Sequence, residues 1–418
     1  MKRVIKEIIV DKKLIFLSLV MGILIGFFVS CGYELEKYGN VYFEEGFTYL
    51  LFAGTFVFAW FLSMLCMKIC EKCNFITNKQ MKRKPIVVYC IVAVALFLIW
   101  FPQLLGVYPG YFNYDATGQW EMYNSGMVTA HHPVLHTMLL GWIVDVVMNI
   151  TGSFNKGVFC FLLVQMFLNA LCFAYVLTWM YRKRLAKWLM VLSFIWFAVF
   201  PTVIINIFSV TKDSLFSAFF IVFIVMTAEL LENTQLCVKS LKFMTGWCLI
   251  SFLTIIMRNN TIYVMVLFMP ILLWKLRSSW KKMLPAIGIL FGLYVFYAGI
   301  ICPAVTVQGV SSREFISVPA QQMMRVYQEK KDELSEEEIV TYETLFDEVA
   351  IEYYLPKISD VVKARFNIDE FNSDKKKYIG FYVEQGMKWP EVYINSFLHN
   401  TYGFWYPMSN LALDIHGN

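Results

Sequence analysis

The chain has 418 residues, of which 58% are hydrophobic and only 16% are charged, and its mean hydropathy is +0.57. A soluble globular protein carries roughly 25% charged residues, whereas apolar runs of membrane-spanning length recur along this chain. These properties predict an all-α polytopic membrane protein. They exclude a soluble enzyme, a disulfide scaffold and a nucleic-acid-binding domain.

Charge is divided unevenly along the chain. Residues 1–304 carry 25 Lys and Arg against 13 Asp and Glu, a net charge of +12, whereas residues 305–418 carry 11 against 18, a net charge of −7. A bilayer produces such a division, because Lys and Arg collect in cytoplasmic loops. The overall charge of +5 therefore reflects membrane topology, and we expect no nucleic-acid partner.

Nine apolar runs are candidate spans, and they suggest three segments. Residues 1–80 hold an N-terminal two-span hairpin, residues 81–304 hold the membrane core, and residues 305–418 form a polar, mostly helical region. The candidate spans are 14–31, 47–67, 85–106, 157–179, 187–207, 214–231, 243–257, 261–275 and 284–304.

One further apolar run, residues 134–150, decides the topology. If it does not cross and the N-terminus is cytoplasmic, 21 of the 25 Lys and Arg that precede the polar tail lie inside; if it crosses, only 14 do. The positive-inside rule favours the first arrangement. Thr137, Gly141, Asp145 and Asn149 recur every four residues, which predicts an interfacial helix with one polar stripe. A short tenth span with a buried polar stripe is the alternative.

This arrangement predicts a multi-pass protein of the cell membrane, with a cytoplasmic N-terminus and residues 305–418 outside the cell. The sequence from Ser335 to Glu338 is a capping-box pattern, which predicts the start of a helix there. The chain stops at Asn418, soon after an aromatic cluster over residues 402–406. That ending suggests a natural protein that continues further.

The first outer loop, residues 107–133, carries side chains suited to acid–base chemistry. Asp115 lies about nine residues beyond a candidate span, where a carboxylate can accept a proton from a hydroxyl. His131 and His132 follow in the same loop. Ordinary interpretations stay open beside these: Asp115 as a solvated acid or a helix N-cap, and the histidines as structural residues.

Two further outer turns add ionisable side chains. Lys212 and Asp213 lie in a very short loop, where Asp213 is either the N-cap of the next helix or a second acid facing the same vestibule. Arg258 lies in a turn whose flanking apolar runs, 243–257 and 261–275, are shorter than the roughly twenty residues of a span. We therefore expect Arg258 to be recessed and to bind an anion such as a phosphate. Snorkelling of Arg258 to the interface is an equal alternative.

Together these loops resemble those of the GT-C glycosyltransferases, which include protein O-mannosyltransferases and lipid A aminoarabinose transferases. In that superfamily an acidic residue is followed by a small-residue region and a His/Lys-Pro-Pro-Leu-like stretch. Here Asp115, Ser125-Gly126 and His132-Pro133-Val134-Leu135 stand in those places, and Lys212-Asp213 resembles the second acidic loop. The resemblance covers about residues 85–275 and points to an uncharacterised bacterial branch.

The resemblance implies a membrane glycosyltransferase that moves a sugar from a polyprenyl-phosphate donor to a cell-envelope acceptor on the outer face, with inversion. Asp115 would be the general base. Arg258 and Lys212 would bind the donor phosphate, and Asp213, His131 and His132 would orient the acceptor or a cation. A divalent cation held by Asp115 and Asp213 is left open, because the common acidic pair is here a single Asp115.

Two other functions stay open at this level. A lipid-linked oligosaccharide flippase or transporter would move a substrate through the bundle, but the spans hold amides such as Gln165 and Asn169 in place of mid-helix charges. A non-catalytic envelope assembly protein would leave the outer acids without a role. In each case the lipid bilayer is a partner, and the envelope acceptor is unknown.

Overall fold

The computed structural model describes residues 12–72, 75–76, 83–307, 313–406 and 408–409. Over these residues the regular elements are helices, and β pairing is confined to isolated bridges. Seven of the described helices are long and apolar enough to cross a membrane. The expected class, an all-α polytopic membrane protein, is thereby confirmed.

Helices of eight or more residues are numbered here in chain order. They are α1 (Lys12–Tyr38), α2 (Gly46–Lys72), α3 (Pro85–Gly106), α4 (Tyr114–Ser125), α5 (Val134–Thr151), α6 (Phe154–Arg182), α7 (Lys187–Val199), α8 (Pro201–Phe208), α9 (Lys212–Glu232), α10 (Leu241–Met257), α11 (Thr261–Lys275), α12 (Trp280–Phe296), α13 (Arg313–Lys330), α14 (Glu336–Leu345), α15 (Lys375–Lys388) and α16 (Pro390–Thr401). Shorter helices occupy Thr234–Cys237, Cys302–Val305, Glu348–Glu352, Asp360–Ala364 and Ile368–Ser373.

The nine expected spans differ in how they are built. Six are continuous helical segments of 21 to 29 residues, the last of which extends α12 through a π-helical turn, Tyr297–Ile301, to Val305. The seventh helix long enough to cross is α5, the run expected to lie at the interface. The run 187–207 is instead two helices, α7 and α8, that meet at a bend of 46°. Phe200 is extended there, and Pro201 begins α8 because proline cannot continue a helix but suits its first turn. Helices α10 and α11 have only 17 and 15 residues.

The chain divides into two compact units, and the first combines the hairpin α1–α2 with the helical tail. Within the hairpin, α1 and α2 approach closely at two glycines spaced by four residues. A Cβ on Gly22 would lie 2.7 Å from Cβ of Trp60, and one on Gly26 would lie 2.8 Å from Cα of Phe56. Small residues at this spacing let helix backbones meet in a membrane.

Side chains of the tail hold the loop between α1 and α2. Asn395 of α16 accepts a hydrogen bond from the Val41 N–H at 2.8 Å and donates one to the Val41 carbonyl at 3.1 Å. The buried Arg325 of α13 donates to the Gly39 carbonyl at 2.8 Å and also to the Asn40 side chain. The hairpin and the tail, two separate segments in sequence, therefore belong to one folded unit.

The tail has a hydrophobic core of its own, built around residues such as Met324, Tyr327, Tyr342 and Phe346. The capping box expected at Ser335 is confirmed, because Ser335 and Glu338 exchange side-chain and backbone hydrogen bonds at the start of α14.

Glu338 also anchors α15. Its carboxylate accepts from Lys388 Nζ at 2.8 Å and from Gln385 Nε2 at 2.6 Å. Burial alone raises the pKa of Glu338, but Lys388, the Ser335 N–H and Gln385 outweigh it and lower the pKa to about 2.

The second unit contains α3 to α12. Its core is a single large cluster of buried side chains, including Trp100, Phe161, Phe208 and Trp247. Most of the exposed surface of its long helices is apolar, as expected for helices that face lipid.

Helix α5 packs against α6, with contacts at Gly157 and Phe161 near the start of α6. A Cβ on Gly157 would lie 2.9 Å from the Val144 backbone, and the His136 ring lies 5.5 Å from the Phe161 ring. The polar stripe is split: Thr137 and Gly141 are buried, whereas Asn149 is exposed.

We expect both ends of α5 to lie on the same side of the membrane. In a background without native cysteines, Thr151→Cys and Asn124→Cys should both react with an impermeant thiol reagent added outside intact cells. Both positions are exposed and lie at the end of the unit where α6 begins. Lys239→Cys, between α9 and α10, is the control and should react only after permeabilisation. Labelling of position 151 only after permeabilisation would show that α5 crosses.

Stability should depend on Glu338 in a defined pH range. Because its folded-state pKa is about 2 and its unfolded value is roughly 4.3, its stabilising effect is present above that unfolded value and lost as pH falls toward 2. Glu338→Gln should lower the thermal midpoint at pH 7, with a difference from wild type that shrinks at pH 3. Glu337→Gln is the matched control, since Glu337 shares the first turn of α14 but forms no ion pair within the described residues. Equal shifts for both variants would show that the contacts of Glu338 add nothing.

Candidate functional site

Two loops of the second unit are joined through their backbones. The N–H of Tyr111 donates to the carbonyl of Phe208 at 2.8 Å, and the N–H of Val210 donates to the carbonyl of Tyr111 at 2.8 Å. The buried Gln165 of α6 supports this pairing by donating to the carbonyls of Ile207 and Ser209, both at 2.8 Å. The segment before α4 and the segment before α9 are therefore fixed side by side.

Each of these helices begins with a cap that is not an aspartate. Asn113 caps α4 by accepting from the Ala116 N–H at 3.1 Å, and Thr211 caps α9 by accepting from the Asp213 N–H at 3.3 Å. Asp115 and Asp213 are both the second residue of their helices. The N-cap interpretation is therefore wrong for both acids. Their carboxylates lie in first turns, where the helix dipole favours negative charge.

Lys212 joins the two loops electrostatically. Its ammonium forms a short ion pair with the Asp115 carboxylate and lies 3.4 Å from Nδ1 of His132. Partial burial by itself raises the pKa of Asp115, but the hydrogen bond and charge of Lys212, with smaller contributions from His132 and His131, hold that pKa below its ordinary range. Asp115 is therefore a carboxylate at neutral pH.

A second ion pair lies beside the first. Arg258 Nη1 donates to Oδ1 of Asp213 at 2.9 Å, and the guanidinium carbon lies 5.7 Å from the centre of the Phe216 ring. The adjacent Asn259 donates to the carbonyl of Ala130 at 3.1 Å, which ties this turn to the loop that carries the histidines. Three separate loops thus meet at one end of the unit.

The four charged side chains differ in exposure. Lys212 is 19% exposed, whereas Asp115, Asp213 and Arg258 are 38%, 43% and 49% exposed. Arg258 is recessed only in part, and its partner within the protein is a carboxylate. Arg258 is the more accessible of the two cations, and an incoming anion would compete with the acids that now pair with them.

The two histidines have different environments. His132 is buried beside Lys212, whereas His131 is exposed and touches the His132 ring edge to face at 4.6 Å between centres. All six residues expected at the site therefore lie in one cluster, with His131 at its outer edge.

A cavity of about 550 Å³ opens next to Asp213. Its polar lining consists of hydroxyl and amide side chains plus this one carboxylate, and an apolar wall is formed by α8 and Phe173. The polar lining residues are Asn113, Thr202, Asn206, Ser209, Thr211, Asp213 and Ser217. Such a lining suits a ligand rich in hydroxyl groups.

A family model matches residues 123–410, which is most of the chain. The chain belongs to DUF6020, a family of unknown function. No curated protein and no solved structure matches it. The range shared with DUF6020 includes His131, His132, Lys212, Asp213 and Arg258, and it begins after Asp115.

The candidate site also contains buried polar residues that the sequence analysis missed. Nδ1 of His136 lies 2.6 Å from Oε1 of Gln119, and both side chains are almost fully buried. Spacing was the available signal: Gln119 follows Asp115 by one helical turn on α4, and His136 lies in the first turn of α5, four residues after His132. This pair lies one layer beneath the exposed charges.

Metal binding finds little support in these side chains. Within the described ranges, no group of three or more His, Cys, Asp or Glu residues could hold a metal ion. Asp115 and Asp213 each face a different cationic side chain. The residues present do not fit a divalent cation held by these two acids alone.

Proposed function

We propose that this DUF6020 protein is a membrane glycosyltransferase. It would transfer a sugar from a polyprenyl-phosphate donor to a hydroxyl of a cell-envelope acceptor, with inversion at the anomeric carbon. The observation that carries the proposal is the meeting of two carboxylates and two cations from three loops beside a hydroxyl- and amide-lined cavity. Cations suit the donor phosphate, and a carboxylate suits the acceptor proton.

The proposed topology has nine spans, a cytoplasmic N-terminus and an extracytoplasmic tail from residue 305. The distribution of Lys and Arg supports it. The position of α5 also supports it, because His132 at one end of α5 contacts Lys212, while Thr151 at the other end adjoins the start of α6. The charge cluster would then face the outside, where a lipid-linked donor replaces a nucleotide sugar.

Lys212 and Arg258 are proposed to bind the donor phosphate. When the bond between the anomeric carbon and the phosphate oxygen breaks, the leaving phosphate keeps the electron pair and gains negative charge. Two cations at that position stabilise the transition state more than the bound donor, which is what accelerates a reaction.

Asp115 is proposed to be the general base. It would take the proton of the acceptor hydroxyl as the oxygen bonds to the anomeric carbon from the face opposite the phosphate. In the resting site the ion pair with Lys212 makes Asp115 a weak base. A donor phosphate that draws Lys212 away removes this effect and raises the pKa of Asp115. The donor would thus activate the base.

Asp213, His131 and His132 are proposed to orient the acceptor. Asp213 lines the cavity, and its carboxylate can accept hydrogen bonds from hydroxyls once Arg258 turns to the phosphate. His132 lies at the Lys212–Asp115 pair, and His131 extends that surface to the outside.

Asp115→Asn should reduce transfer by about 10²–10⁴-fold, the usual effect of losing a general base. The assay would follow release of polyprenyl phosphate from a panel of polyprenyl-phosphate-linked sugars in proteoliposomes. In wild type, as the pH is lowered, kcat should begin to fall at a higher pH than kcat/KM, because the bound donor raises the pKa of Asp115. Glu121→Gln, an exposed acid on the same helix, should behave as wild type. Normal turnover of Asp115→Asn would remove it from the catalytic role.

Arg258→Ala should weaken binding of polyprenyl phosphate by roughly tenfold to 150-fold, equivalent to about 1.5–3 kcal/mol for a charge-assisted contact. Arg258→Lys should restore only part of the affinity, because lysine lacks the bidentate fork. Native mass spectrometry of the full chain with polyprenyl phosphate measures both. If the lysine variant equals wild type, a simple cationic or snorkelling role is sufficient. Equal affinity for all three proteins rejects the phosphate role and leaves Lys212 as the phosphate ligand.

A further inference from the structure

A second cavity lies at the opposite end of the same helices. It has a volume of about 590 Å³, is open to its surroundings, and is lined mainly by residues of α6, α9 and α10, with Tyr89 of α3 at its side. Most of its wall is aliphatic or aromatic, including Leu168 and Phe219. The charge cluster of the candidate site is at the start of α9 and the end of α10, and the two cavities share no described lining residue.

Two cationic side chains line one end of the cavity, and no Asp or Glu of the described chain lines it. Arg182, the last residue of α6, and Lys242, in the first turn of α10, line its end. The nearby acids are already paired, because Lys183 Nζ lies 2.7 Å from both Glu229 and Glu232. Neither Arg182 nor Lys242 forms a salt bridge with a described residue. Their charges are available to an anion.

The shape of the cavity fits a lipid chain. At 1.5 Å per residue, the wall from Leu168 to Arg182 is about 21 Å long, somewhat more than one leaflet of a bilayer whose core is about 30 Å thick. Gly246 borders open space in the cavity, since a Cβ there would meet only the flexible end of Met226, at 3.5 Å, an ordinary contact distance. An apolar trough of this depth with cations at its end matches an amphiphile.

We propose that this cavity binds one anionic glycerophospholipid. The phosphate would lie between Arg182 and Lys242, and one acyl chain would fill the trough toward Leu168 and Phe219. In the proposed topology this end faces the cytoplasm, where anionic lipids attract Lys and Arg near the membrane surface. The site goes beyond the proposed transferase activity and does not depend on it.

The test uses the full-length protein and native mass spectrometry with added phosphatidylglycerol or phosphatidylcholine. Wild type should retain one phosphatidylglycerol in preference to phosphatidylcholine. Arg182→Gln combined with Lys242→Gln should weaken phosphatidylglycerol binding by about thirty-fold, since each cation near the surface contributes about 1 kcal/mol and 1.4 kcal/mol is tenfold. Both side chains are exposed, so folding should be retained.

Two further variants separate the charge from the trough. Gly246→Leu should weaken binding of both lipids, because its side chain fills the space for the acyl chain. Lys275→Gln combined with Lys281→Gln removes two cations that do not line the cavity, and it should bind lipid as wild type does. Equal retention of the two lipids by wild type, or unchanged binding in the Arg182/Lys242 variant, would overturn the proposal. Displacement of phosphatidylglycerol by equimolar polyprenyl phosphate would also overturn it, in favour of a site for the donor lipid.

Discussion

The candidate site depends on the pairing of two backbone segments that lie far apart in the chain. Tyr111 exchanges hydrogen bonds with the strand-like segment around Phe208 and Val210, and Gln165 holds that segment from behind. Because this pairing sets where α4 and α9 begin, it brings Asp115 against Lys212. The Arg258–Asp213 pair is nearly half exposed, and exposed ion pairs contribute little to stability. The backbone hydrogen bonds therefore fix the positions of the loops, and the charged side chains on those loops provide the reactive groups.

Much of this arrangement was accessible from sequence. Hydropathy predicts the all-helical membrane class, and the spacing of serine and glutamate predicts the start of α14. The three loops with Asp115, Lys212 and Arg258, expected on one side of the membrane, are joined in the structure by two ion pairs. These features are local or follow from which helix ends lie together. Periodicity and charge counts are sensitive to such features.

Other features depend on contacts that no local pattern encodes. The caps of α4 and α9 are Asn113 and Thr211, two residues before each acid, which a rule based on the nearest aspartate misses. The break between α7 and α8 is hidden in a continuous apolar run, although Pro201 was a signal for it. The buried Gln119–His136 contact requires knowing that α4 packs against α5.

The hydrogen bonds from Arg325 and Asn395 to the loop between α1 and α2 have a consequence for biosynthesis. Asn395 follows its partner Val41 by 354 residues, so the loop emerges from the ribosome long before its hydrogen-bond partners exist. Along the chain, the second unit is one continuous segment, and it separates the two segments that form the first unit. Domains fold largely as they are synthesised, and distant contacts form late because of loop-closure entropy. We expect α3 to α12 to assemble before the loop between α1 and α2 acquires its hydrogen-bond partners. If synthesis stops before α16, the Val41 loop lacks these partners and is exposed to membrane quality-control proteases.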